Sequence, residues 1–477
     1  MPDYGGYRPH YQGSGITTPG GRGGTLWRVN TLADDGLFVI NADGSRSGSL
    51  RAAIEASGAR CVVFEISGRI EAQSELLVSN GNLTIAGQTA PAPGITVSHS
   101  RLRVTASNAV FQHFRWRLGD ALFASPAASN GVNLHQVSGG ALSGSFAVFD
   151  HMSFSWAPAT QMACFGPSVL IVDCLIGEGL DRGLSVADNS GVGIFIDYGP
   201  PPLGFTFARN LMVHCSHRNP YVGPGAQYSG YNNLVYGGYY EDTNDGNGNF
   251  LSLLASDPAS PNNAIEAAWV NNHTIAPAYP TTSVPNTKAV AVWFDQAHLD
   301  AGDSYLYMSG NIGPFQTLGD QWSGVQYYGV ATEANTRVNT VPAYFSAFNF
   351  DTVPASSVRT AVCNKAGARP AERLNASTRD ADDYRLTEHA RNGTYNSTAS
   401  GRIFSQTDVG GYPSIPVNTR AYVDPPDPNS VATGETFRTN REVTLENSAR
   451  AVENLGIQAR PPMRIVADLR RAFVQYG

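Results

Sequence analysis

Short apolar runs, each closed by one or two polar residues, recur through the middle of the chain and predict many short strands. The matching segments are Val110-Phe111-Gln112-His113-Phe114, Val148-Phe149-Asp150-His151-Met152, Ile171-Val172-Asp173-Cys174-Leu175, Phe207-Ala208-Arg209-Asn210-Leu211, Gly230-Tyr231-Asn232-Asn233-Leu234, Val270-Asn271-Asn272-His273 and Met308-Ser309-Gly310-Asn311-Ile312. Aligned on His113, His151, Cys174, Asn210, Asn233, Asn272 and Asn311, the steps are 38, 23, 36, 23, 39 and 39 residues. A step of 23 fits one three-strand coil of a β-solenoid, and the longer steps fit the same coil with a loop inserted on one face. The aligned position is read as a turn line that satisfies backbone groups between coils, not as a catalytic row.

Helical periodicity appears near both ends. Gly48-Ser49-Leu50-Arg51-Ala52-Ala53-Ile54-Glu55-Ala56 predicts a short amphipathic helix covering the open N-terminal layer of the solenoid. Val443 to Val452 and Arg464 to Phe473 flank Pro461-Pro462 and predict a C-terminal helical tail. The expected organisation is one domain over 1–477, with an N-terminal segment and cap at 1–60, central coils at 61–330 and C-terminal coils, loops and tail at 331–477.

Composition agrees with an all-β chain: 15% charged residues, 50 Gly and 29 Pro suit short strands and turns better than long helices. A net charge of -7 and the absence of any Lys/Arg run argue against a nucleic-acid partner. Lys288 and Lys365 are the only lysines, so an anionic ligand must be met by placed arginines. Cys61, Cys164, Cys174, Cys215 and Cys363 form no CxxC pair and are expected to be buried thiols. No apolar run is long enough for a membrane span, and Met1-Pro2-Asp3-Tyr4-Gly5 has no secretory character, which leaves a removed leader or display on a virion as routes of export.

The ordered segments Gly20-Gly21-Arg22-Gly23-Gly24-Thr25-Leu26, Gly48 to Ile54, Val62-Val63-Phe64-Glu65-Ile66-Ser67-Gly68-Arg69-Ile70, Leu83-Thr84-Ile85-Ala86-Gly87-Gln88-Thr89-Ala90-Pro91, Asp150-His151-Met152-Ser153-Phe154-Ser155-Trp156, Glu178-Gly179-Leu180, Asn210-Leu211 with Arg218-Asn219-Pro220, and Arg464-Ile465-Val466-Ala467-Asp468-Leu469-Arg470 together resemble the pectate lyase family of polysaccharide lyases. The resemblance implies a right-handed parallel β-helix and an Arg-x-Pro motif whose Arg removes the proton beside a sugar carboxylate. Arg218 and Pro220 fit that motif. Arg182 lies 8 residues after Cys174, and Arg218 lies 8 after Asn210, so the two are expected to stack on successive coils. Such a neighbouring cation would help a guanidinium give up its proton. An ordinary surface Arg paired with a carboxylate is the other reading of Arg218. His217 is the nearest group whose unperturbed pKa suits acid or base work.

The chain departs from the family in ways that bear on chemistry. Tyr221-Val222-Gly223 stands where a second Arg is expected, and the family Lys ahead of Asn210 is not seen. The acidic calcium ligands are replaced by Ala157-Pro158-Ala159-Thr160-Gln161 and by Gly140 ahead of Ala141-Leu142. The resemblance would allow Ca2+, but calcium needs six to eight oxygens with several carboxylates among them and the usual ligands are absent, so no cofactor is expected. Glu178, Asp181 and Asp188 are read as solvated loop carboxylates that would otherwise rebuild a cation site, and Glu241 to Asn249 as a turn. Asn219, Tyr221 and the exposed pair Tyr239 and Tyr240 are the candidate sugar-binding residues.

The expected function is β-elimination on a uronic-acid-containing polysaccharide, carried out outside the cell. The alternatives are a carbohydrate-binding β-helix without catalysis and a bacteriophage tail capsule depolymerase of the same fold; the expected partner is an acidic polysaccharide, with a phage tail or a homo-oligomer as further partners.

Overall fold

The computed structural model describes residues 18–120, 132–134, 146–166, 168–181, 191–197, 204–216, 218–238, 250–255, 264–275, 288–314, 320–347, 350–395 and 403–422. Its strands coil through three sheets in turn. A representative coil runs Ala147–Asp150, Ser153–Ser155, Thr160–Phe165, and the next runs Val169–Val172, Leu175–Gly177, Val192–Asp197. Stacking of such coils gives sheets of 13, 8 and 9 strands, named here I, II and III in the order the chain meets them. The pairings between coils are parallel and in register, for instance Phe149 with Ile171 and Ile171 with Phe207. This is the parallel β-helix, with the right-handed coil that parallel connections adopt.

Alternation along each strand sorts side chains between the interior and the outer faces. In sheet II, Ile176, Met212 and Val235 point into the central core. Their neighbours Leu175, Leu211, Val213, Leu234 and Tyr236 point outward into a second cluster with Val358, Val362, Cys363, Leu386 and Ala390. The helices Ala355–Lys365 and Ala381–Asn392 therefore cover the outer face of sheet II. Both faces of these strands are buried, which explains why they read as nearly continuous apolar runs. The short N-terminal helix forms at Leu50–Glu55 with Ser49 as its N-cap, and Leu50, Ala53 and Ile54 close the end of the core. The Arg60 guanidinium, wholly buried, donates to the carbonyls of Ala53, Ile54, Gly58, Asn80 and Gly81 and ties this cap to the first coils. All five cysteines are buried thiols.

The corner between sheets I and II holds the turn line. His113, His151, Asp173, Arg209, Asn232, Asn271 and Gly310 share the left-handed conformation, with φ between 50° and 67°. The next residue turns inward. Oδ1 of Asn233 accepts from the backbone N–H and side-chain Nδ2 of Asn210, at 3.0 and 3.1 Å, while Nδ2 of Asn233 donates to Phe207 O at 2.7 Å. Asn272 and Asn311 repeat the pattern one and two coils on. At the earlier coils Cys174 Sγ takes over, accepting from Met152 N–H at 3.4 Å. His113 and His151 thus do not lie on the asparagine line, where the sequence pattern had put them. They occupy the left-handed position one residue earlier, and the true step from Met152 to Cys174 is 22. The expected C-terminal tail at Val443 to Phe473 lies outside the described residues.

A buried ion network locks the helical cover onto sheet II. Arg117 reaches Asp380 at 2.5 and 3.0 Å and Asp383 at 3.0 Å, and Arg115 reaches Asp383 at 3.2 Å. These four side chains are at most 1% exposed. Burial alone would raise the Asp380 pKa, but Arg117 and Arg115 hold it well below the usual carboxylate range.

Two substitutions test these devices. Asn233→Ala strands the Asn210 N–H and the Phe207 carbonyl in the interior and is expected to cost about 1–3 kcal/mol for each group left unsatisfied. Arg117→Ala leaves two buried aspartates short of their counter-charge and is expected to cost about 3–5 kcal/mol. Urea unfolding followed by circular dichroism measures both, and a change under about 0.5 kcal/mol in either would contradict the role given to it.

Candidate functional site

The connections from sheet II to sheet III carry Arg218. Its segment is pinned on both sides: Arg218 O accepts from Ile194 N–H of the preceding coil at 2.8 Å, and Ser252 Oγ of the following coil donates to Asn219 O at 2.6 Å. Arg218 is left-handed, with φ 57°, and the Asn219–Pro220 bond is cis. The chain then joins sheet III as Tyr221–Val222, where Tyr221 lies in register with Phe195.

Alternation in Gly193-Ile194-Phe195-Ile196 sends the two isoleucines into the core and leaves Phe195 on the outer face. There Phe195 and Tyr221 stack, with centroids 4.6 Å apart and planes 6° from parallel, and Phe165 continues the row at 5.4 Å from Phe195. The Arg218 guanidinium carbon lies 5.5 Å from the Phe195 ring centre and 5.2 Å from that of Tyr221. The negative π faces attract the cation and fix the planar fork. Phe195 was not singled out from the sequence, although its place in the alternation was a usable signal.

Asn219, expected at the sugar, is instead 1% exposed. Its amide Oδ1 and Nδ2 have no hydrogen-bond partner among the described residues, and it packs over Gly193. A methyl group at Gly193 would stand 2.3 Å from Asn219 Oδ1 and 2.7 Å from Arg218 O, so only glycine leaves room for this segment. Arg182, His217, Tyr239 and Tyr240 lie outside the described residues, as do Gly140, Asp188 and the Glu241 to Asn249 loop.

Glu178 corrects the sequence reading of a solvated loop carboxylate. It is wholly buried, bidentate with Arg385 at 2.5 and 2.7 Å, and accepts from Trp156 Nε1 at 3.1 Å. Burial would raise its pKa, but the Arg385 pair holds it below the usual value. This part of the coil therefore sits against the helix Ala381–Asn392, not against solvent. His214 belongs to the same contact: its Nε2 lies 3.0 Å from His389 Nδ1, and burial pushes its pKa down to about 3, so it stays neutral. Gln161 closes on its own turn, bonding the N–H and the carbonyl of Ala157 at 3.1 Å. Glu178, His214 and Gln161 are committed to protein partners and do not fit a calcium ion, which wants several free carboxylates.

No family model matches the chain. It is 30% identical over 277 residues to the probable pectate lyase C of Emericella nidulans, covering 56% of each chain. It is 32% identical over 253 residues to the protein of the same name from Aspergillus oryzae, covering 50% of this chain and 51% of that one. The chain thus spans about half the length of the curated relatives it matches. Among solved structures, a pectate lyase bound to a hexasaccharide aligns with 76% of this chain and 99% of its own, at 12% identity and a TM-score of 0.49. The resemblance to pectate lyases read from the segments is borne out by the curated relatives.

The tight seat of Arg218 and Asn219 is open to test. Gly193→Ala is expected to lower the unfolding free energy by about 1–3 kcal/mol through overpacking. Asn219→Ala in the same chain should restore part of that loss, because it removes the oxygen that the new methyl meets. Additive losses in the double variant, measured by urea unfolding, would show that Asn219 does not seat over Gly193.

Proposed function

We propose that the chain is a polysaccharide lyase that cleaves a uronic-acid-containing, pectate-like chain by β-elimination outside the cell. The observation that carries this reading is the placement of Arg218: it sits at the Arg-x-Pro position, its backbone is pinned to both neighbouring coils, and its guanidinium stands on the outer face of sheet III. Similarity to the curated pectate lyases supports the same substrate class.

In this reading Arg218, in its neutral form, takes the C5 proton beside the uronate carboxylate. The electron pair released forms the C4–C5 double bond as the C4–O4 bond breaks, and the departing oxygen is protonated to a new chain end. Negative charge builds on the carboxylate and C5 in the transition state, where a fixed cation lowers the barrier most. Arg182 is assigned that role in place of calcium. The missing second Arg and the unsuitable calcium donors make binding without turnover the rival, and the same assay separates the two.

Unsaturated uronides absorb in the ultraviolet, so product formation from polygalacturonate and other acidic polysaccharides is directly readable. Arg218→Ala and Arg218→Lys are both expected to lose at least about a hundredfold in kcat, because an ammonium cannot reproduce the planar fork. Chelator is expected to leave activity unchanged. Binding of the polysaccharide without any rise in absorbance would support the lectin-like rival, and full activity in Arg218→Ala would move the base elsewhere, with His217 the next candidate.

A further inference from the structure

At the corner between sheets I and II, away from the Arg218 connection, two histidines meet on successive coils. The His113 and His151 rings stack with centroids 4.6 Å apart and planes 15° from parallel. Asp150, on the strand that leads into His151, places Oδ1 2.5 Å from His151 Nδ1. One ligand atom from each of His113, Asp150 and His151 lies within 4.8 Å of the other two. His113 Nδ1 is buried, yet it finds no hydrogen-bond partner among the described residues. The other Asp150 oxygen is oriented by Gln112 Nε2 at 3.2 Å, and Gln112 Oε1 accepts in turn from Gln88 Nε2 at 3.1 Å. A chain of amides holding a carboxylate beside imidazoles is the kind of outer support that metal ligands have.

We propose that His113, Asp150 and His151 bind one divalent transition-metal ion of the zinc type. Two imidazoles and one carboxylate select such ions over calcium or magnesium, which prefer oxygen alone. A tetrahedral ion with bonds of about 2.0–2.1 Å holds its ligands roughly 3.3 Å apart, so binding draws the two rings out of their stack and toward Asp150. The proton held between His151 and Asp150 leaves to solvent as the ion takes its place. The nearby cations are already neutralised, since Arg209 pairs with Asp173 at 2.7 Å and Arg369 pairs with Glu372. The cluster is reachable from outside, since the His151 side chain is 21% exposed. The site is independent of the lyase reading and stands or falls separately.

The test uses the full chain, stripped with chelator and titrated with Co2+, whose tetrahedral complexes absorb in the visible. The expected result is saturation at one ion per chain and displacement by one equivalent of Zn2+. His113→Asn and His151→Asn should abolish the signal with an unchanged circular dichroism spectrum, because Asn already holds the same left-handed position at Asn232 and Asn271. Gln112→Ala should weaken binding about tenfold. His298→Ala, at the separate cluster of His298 with Asp295 and Asp303, should leave the titration intact. No visible absorbance, absorbance that survives both Asn variants, or its loss in His298→Ala would overturn the proposal.

Discussion

The structure depends on one repeated constraint, the satisfaction of backbone and amide groups at the two-residue corner between sheets I and II. A coil can stack on its neighbour only if each corner repeats the same path, and the left-handed residue with an inward asparagine after it enforces that path. The amides of Asn233 and Asn272 each bond the coil before them, and their Nδ2 also donates to the asparagine Oδ1 of the coil after, so the corner is cross-linked along the solenoid axis. Interior polar groups of this kind are held tightly because leaving one unmade costs the full desolvation of that group. The apolar core then fills whatever cross-section the corners define.

A rigid corner on one side frees the others to vary. Insertions fall in the connections that leave sheet II and sheet III, and the candidate chemistry lies in the former. Arg218 is not on a free loop, however. The hydrogen bonds from Ile194 and Ser252 fasten its segment to the coil on either side, and Phe195 and Tyr221 fix the direction of its side chain. The pair of rings is itself a product of register, since parallel in-phase strands bring equivalent side chains face to face at the spacing of the coils. The same register stacks His113 on His151 at the corner between sheets I and II.

Much of this was legible in the sequence. The coil length, the solenoid and the capping helix can be read from where the apolar runs stop and which polar residues close them. The misplacement of His113 and His151 by one residue has a physical cause: both residues of the corner tolerate polar side chains, and where the pair is Asn232-Asn233 or Asn271-Asn272 the pattern gives no phase. Only the backbone shows that His151 answers to Asp173 and Met152 to Cys174. Burial of Glu178, Asp380 and Asp383 was not legible, because each carboxylate meets its arginine across a large sequence separation and reads alone as a solvated charge. Likewise Asn219 looked like a surface residue beside Arg218 until the glycine beneath it was placed.

The ion lock on sheet II also sets an order of events during synthesis. Arg117 and Asp380 are 263 residues apart, so the coil carrying Arg115 and Arg117 leaves the ribosome long before its counter-charges exist. Through that interval the outer face of sheet II, with Leu175, Leu211 and Leu234, has nothing over it. The flank closes only when Asp380 and Asp383 arrive to pair with Arg115 and Arg117.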